Sequence, residues 1–112
     1  MTEYTPDVWV VLKFTGLKGE DGPLYKVMGG WYGGYLGADS FRLNSGISKV
    51  EEDGDWFKFH GYSGSVYRVH KNSYHLSGYM GQVLMGWEKE LEDRPEEMEL
   101  LPEDTDWSEI ND

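Results

Sequence analysis

Val8-Trp9-Val10-Val11-Leu12-Lys13-Phe14 is the stretch on which the fold turns. Val8, Val10, Leu12 and Phe14 share one face of a period-2 segment, and Trp9 and Val11 make the opposite face mostly apolar as well. A strand that is apolar on both faces must be covered on both sides, so this one is expected at the centre of the fold. Downstream, Gly16-Leu17-Lys18-Gly19-Glu20-Asp21-Gly22-Pro23 has the glycines and proline of a hairpin loop, and Leu24-Tyr25-Lys26-Val27-Met28 returns to strand chemistry. Phe41 to Asn44 and Ile47 to Val50 are further strand candidates. Asp53-Gly54 between alternating runs is a strong hairpin signal, because both central residues of a type I′ turn need positive φ. Trp56 to His60 and Val66 to His70 complete a second hairpin around Ser63-Gly64-Ser65.

Burial decides the expected register of that hairpin. A two-residue turn sets Phe59 opposite Arg68 and mixes apolar with charged groups. A three-residue loop pairs Phe59 with Val69 and Gly61 with Tyr67, and sends Lys58, His60, Arg68 and His70 together to the other face. A two-residue Asp53-Gly54 turn then puts Lys49 beside Lys58. Beyond the strands, Tyr79, Val83, Trp87 and Leu91 recur every four residues with Met80 and Leu84 beside them, an amphipathic helix template that Ser77 can cap. Gly81 and Gly86 each oppose it by about 1 kcal/mol relative to alanine, and a strand over Gln82 to Trp87 is the alternative. The expected fold class is mainly β, α+β: a small bent antiparallel sheet or SH3-like open barrel of about five strands, with one C-terminal helix and an acidic tail.

The charge is unevenly distributed. The 112 residues carry 10 Lys plus Arg against 21 Asp plus Glu, a formal charge of -11. Residues 1 to 87 hold nine of the acids against eight bases, whereas residues 88 to 112 hold twelve acids with only Lys89 and Arg94. All 15 glycines lie at or before Gly86, and among the aromatic residues only Trp107 lies beyond Trp87. This composition shift divides the chain into a compact β-rich domain, residues 1–93, and an acidic, apolar-studded tail, residues 94–112. The absence of cysteine excludes disulfides, a thiolate nucleophile and Cys-based zinc sites. The amino-terminal residues lack the basic and apolar regions of a signal peptide, and no apolar run spans a bilayer, so a cytoplasmic location and no membrane partner are expected.

Candidate sites follow from these divisions. Met98, Leu100, Leu101, Glu103, Asp104, Asp106, Trp107 and Ile110 interleave acids with large apolar side chains in the tail. Such a segment suits a basic surface with a hydrophobic groove, since charge steers the encounter and Trp or Leu anchors it. The tail is expected to be mobile until a partner orders it, because ordering some 20 residues costs on the order of 1 kcal/mol or more apiece. The expected partner is a basic protein that handles nucleic acid, and direct nucleic-acid binding by a chain of charge -11 is not expected. An alternative ligand face combines Trp31, Tyr32, Tyr35 and Trp56 as stacking platforms with Lys58, His60, Arg68 and His70 as phosphate contacts. The glycine-rich run Gly29 to Gly37 around the first three of these aromatics also reads as a bent strand with close backbone approaches. Gly61-Tyr62-Ser63-Gly64-Ser65 is not a nucleophile elbow, because its fifth position is Ser and a strand follows. Of His60, His70 and His75, the first two are flanked by Lys58 and Arg68, which would repel a cation, and no catalytic residue, metal or cofactor is expected.

At Gly29-Gly30-Trp31-Tyr32-Gly33-Gly34-Tyr35-Leu36 through Ser45-Gly46, and again at Glu52-Asp53-Gly54-Asp55 through Val69-His70-Lys71, the chain resembles small proteins of tailed bacteriophages without an assigned activity. The resemblance covers roughly residues 25 to 75 and leaves the tail aside. It implies a viral origin and a host protein as partner, and it transfers no catalytic residue.

Overall fold

The computed structural model describes residues 2–15, 23–33, 39–91 and 97–107. Its elements are β1 (Glu3–Tyr4), β2 (Val8–Thr15), β3 (Leu24–Trp31), β4 (Ser40–Leu43), β5 (Ile47–Asp53), β6 (Trp56–Gly61), β7 (Val66–His70), a 3-10 turn (Lys71–Ser73), α1 (Gly78–Leu91) and β8 (Glu97–Leu100). They form two four-stranded sheets, ordered β1-β7-β6-β5 and β4-β3-β2-β8. The fold is mainly β, α+β, as the residue pattern implied. The single bent sheet or open barrel of about five strands that was expected is corrected: the described residues form eight strands in two sheets, and β1 joins β7 in parallel.

Three layers explain why β2 is apolar on both faces. Trp9 and Val11 point toward the first sheet and pack with Val27, Phe59, Tyr67 and Val69. Val8, Val10 and Leu12 point the other way and pack with Met28 and with Met80 and Leu84 of α1. A strand with a sheet on one side and a helix on the other has no wet face. The β2–β3 hairpin is antiparallel with Val10 opposite Met28, although residues 16 to 22 of the loop expected over Gly16 to Pro23 lie outside the described residues.

The helix begins where its cap predicts. Ser77 is buried, and its Oγ accepts a hydrogen bond from the Met80 N–H at 3.1 Å. Met80 and Leu84 form the centre of the buried stripe, with Val83 and Trp87 at its margins and Tyr79 exposed. Close approach of this helix requires Gly30: a Cβ there would overlap Met80 Sδ and meet Val8 Cγ2 at 3.2 Å. Gly30→Ala is therefore expected to cost about 1–3 kcal/mol through overpacking. A denaturation midpoint no lower than that of the parent would show that the helix can lift without penalty.

Both hairpins of the first sheet differ in register from the sequence expectation. In β5–β6, Asp53 pairs with Trp56, so Gly54-Asp55 form the turn, Lys49 lies opposite His60, and Glu51 lies opposite Lys58. Opposite charges across a ladder attract, whereas Lys49 beside Lys58 would repel. In β6–β7 the loop has three residues but starts one residue earlier, at Tyr62-Ser63-Gly64, so that Phe59 pairs with Tyr67 and Phe57 with Val69. Gly64 supplies the positive φ of 96° that closes this loop, and Gly61 N–H donates to the Ser65 carbonyl at 2.8 Å. Because the slip is by an even step, Lys58, His60, Arg68 and His70 still share the outer face.

The boundary placed at residue 94 is also corrected. β8 pairs antiparallel with β2, Leu100 opposite Leu12 and Met98 opposite Phe14. Beyond it, Leu101 and Trp107 are 9% and 5% exposed and belong to the core between the sheets. The described part of the expected mobile tail, residues 97–107, is thus a strand and a core plug. Burial of two large apolar side chains and a ladder of backbone hydrogen bonds offset the ordering entropy. Tyr74 secures the join: its hydroxyl accepts from the Val11 N–H at 3.1 Å and donates to the Leu101 carbonyl at 2.5 Å.

Burial pushes the phenols of Tyr67 and Tyr74 up to about 12. A folded-state value above that of the unfolded chain favours the neutral form, so the stability it confers is complete below pH 10 and lost as pH rises from about 10 through 12. The denaturation midpoint should fall across that window, and absorbance at 295 nm should show two tyrosines ionising late. A midpoint that stays level from pH 9 to 12 would contradict this.

Candidate partner-binding surface

The alternative ligand face is not assembled as one surface. Trp31 ends β3 in the second sheet, half-buried against Tyr4 at 6.3 Å between ring centroids. Tyr32 follows it, with its N–H bound to Asp7 Oδ2 at 2.9 Å, while Tyr35 lies outside the described residues. Trp56, Lys58, His60, Arg68 and His70 stand on the outer face of the first sheet. There the Arg68 guanidinium lies 4.0 Å from the Trp56 ring centroid, and His70 meets the same indole edge-on at 4.9 Å. Arg68 therefore occupies the ring face that a base would need. Glu51 stands among the cations, 3.2 Å from Lys49 Nζ and 3.1 Å from His60 Nε2, and Lys49 foremost holds its carboxyl below the usual range. This acid was missed because its place depends on register. It turns the basic face into a mixed one.

The C-terminal residues divide by side. Leu101 and Trp107 serve the core, where Trp107 packs 5.6 Å from Trp9, 5.4 Å from Tyr74 and 6.2 Å from Phe59. They are unavailable to a partner in the folded state. Met98 and Leu100 face α1, while Glu99, Glu103, Asp104 and Asp106 are exposed; Ile110 lies outside the described residues. The Pro102 carbonyl accepts from Thr105 N–H at 3.2 Å and from Thr105 Oγ1 at 2.7 Å, which fixes the turn carrying Glu103 and Asp104.

Beside this strand lies a feature that the sequence did not reveal. Between α1 and β8 runs a cleft of about 380 Å³, floored by Leu12, Met98 and Leu100 and walled by Leu76, Met85 and Glu88. Met85 is 71% exposed and Leu100 43% exposed. On the other flank of the helix, Glu90, Trp87 and Met98 border a second cleft of about 280 Å³ that also holds Lys26. Glu88 thereby lines the cleft that holds the exposed Met85 and Leu100, and Glu90 the one that holds Met98, so two helical acids stand next to β8. Three bases stand close to this group: Lys26 in the second cleft, Lys13 opposite Glu99 in register, and Lys89 between the two helical acids in sequence. The alternation of Glu97 and Glu99 with Met98 and Leu100 was the signal that could have identified the strand.

Among the described residues, no three His, Asp or Glu side chains gather where they could hold a metal ion. No helix there is long and apolar enough to cross a membrane. Fold and surface define a three-layer β/β/α protein with an acidic, partly apolar margin along β8 and α1. No family model, curated protein or solved structure matches the chain.

Proposed function

We infer that the protein is a non-enzymatic interaction protein that binds a basic, nucleic-acid-handling protein through this acidic margin and competes there with nucleic acid. One observation carries the reading: Glu99, Glu103 and Asp104 are exposed on backbone that β8 and its following turn hold in place, the same segment that presents the exposed Leu100. Acids on a fixed framework present negative charge without the ordering cost of a flexible tail, and a phosphate-binding surface would meet them as it meets a nucleic-acid backbone. The adjacent apolar side chains add the short-range contacts that charge alone lacks. The resemblance to small phage proteins implies a bacterial host protein as the partner.

Truncation is a poor test, because removing the C-terminal residues also removes Leu101 and Trp107 from the core. A better one replaces exposed acids in the whole chain: Glu88→Gln, Glu99→Gln, Glu103→Gln and Asp104→Asn together. In nuclease-treated bacterial lysate the parent protein should retain a basic nucleic-acid-binding protein that added DNA displaces, and the quadruple variant should lose it while melting like the parent. Retention of the same proteins by both, or indifference of the captured protein to DNA, would overturn the reading.

A further inference from the structure

The edge of β8 offers a more specific contact than charge. In the order β4-β3-β2-β8, no described strand pairs with its outer side. The Leu101 N–H bonds inward to the Val11 carbonyl at 3.0 Å, so by the two-residue alternation of a strand the backbone groups of Glu99 also face β2. Those of Met98 and Leu100 then face outward. The same two residues direct their side chains to the α1 side, into the cleft with Met85 and Leu76. Open backbone groups and an apolar cleft thus coincide along one edge, the combination that strand addition uses: main-chain bonds for affinity, alternate pockets for specificity.

We propose that β8 accepts an extended peptide segment of alternating apolar and basic residues as a fifth strand of the second sheet. This rests on the acidic-margin reading and names the form of its partner. Apolar guest side chains continue the rows Phe14–Met98 and Leu12–Leu100 toward Met85. Basic ones, on the opposite face, continue the row Lys13–Glu99, which sets the carboxylate between two cations. A second copy of the protein is the poorer occupant: pairing two β8 edges brings acid against acid, on molecules that each carry -11.

The test uses the full chain and a synthetic nine-residue peptide in which Lys alternates with Val or Leu, labelled for fluorescence anisotropy. Two N-methylated forms of the peptide are compared, one blocked at every N–H that would face β8 and the other at the intervening N–H groups. One form should bind at least tenfold more weakly than the unmodified peptide and the other nearly as well. Leu100→Ser and Met85→Ser, both at exposed positions, should each weaken binding several-fold. Equal binding of both methylated forms, or of a peptide with the same composition in scrambled order, means that charge alone holds the guest; that overturns strand addition while the acidic-margin reading stands. No binding of the unmodified peptide also overturns it, and capture of a DNA-displaceable basic protein in the lysate experiment would then show the margin working by another mode. Sedimentation showing a dimer abolished by Leu100→Ser would replace the peptide by a second copy and equally overturn the proposal.

Discussion

Trp107→Ala is expected to destabilise the protein by about 3–5 kcal/mol, the range for removing a buried aromatic side chain from a core that cannot fully collapse. The indole lies in the gap between the two sheets and packs against Trp9, Phe59 and Tyr74. These neighbours sit on β2, on β6 and just after the 3-10 turn, so they cannot close together without moving whole elements. A large fraction of the stability typical of a small domain is at stake, and unfolding at moderate temperature should follow. Urea denaturation followed by far-UV circular dichroism measures the effect. A loss below about 1 kcal/mol would return residues beyond β8 to the status of a loosely attached tail.

Tyr74→Phe should cost about 2–4 kcal/mol, although it removes a single oxygen. That oxygen is inserted into the β2–β8 ladder, where it takes the Val11 N–H and serves the Leu101 carbonyl. Without it, a donor on a fully buried residue and an acceptor beside it lose their partner together, at about 1–3 kcal/mol for each buried group left unsatisfied. The two groups could recover only by drawing Leu101 toward Val11, which displaces the chain that leads to Trp107. For this reason the double variant with Trp107→Ala should lose less than the sum of the single losses, as expected for residues in contact. Strict additivity, or a Tyr74→Phe effect under about 1 kcal/mol, would mean that the ladder closes freely without the hydroxyl.

Local chemistry was enough wherever a residue's partners lie close in sequence or wherever a pattern is long. The doubly apolar Val8 to Phe14 run, the cap at Ser77 and the buried stripe of α1 are of this kind. β1 escaped because two residues carry no periodicity, and Glu3–Tyr4 form a strand only by adding to the edge of β7. β8 escaped for a different reason. Its four-residue alternation lies within a stretch of high negative charge, and composition averaged over 25 residues outweighed the pattern of four. Hairpin registers slipped by small steps, because the choice among loops that keep the same faces depends on which charges and glycines meet across the strands.

The candidate surface was legible in part. Exposed Glu103, Asp104 and Asp106 and the half-buried Met98 were expected in a contact segment from composition alone, but Leu101 and Trp107 could not be separated from them. The amino-acid sequence by itself determined the strand-rich class, the covered central strand, the helix and the concentration of acid near the C-terminus, since each follows from propensity, periodicity or charge counted along the chain. Only the tertiary structure decided which apolar side chains face inward, that Glu51 stands among the bases of the outer face, and that Glu88 and Met85 flank β8. Those outcomes depend on the packing of elements distant in sequence, and burial there is a competition between side chains for one core, which counting along the chain does not resolve.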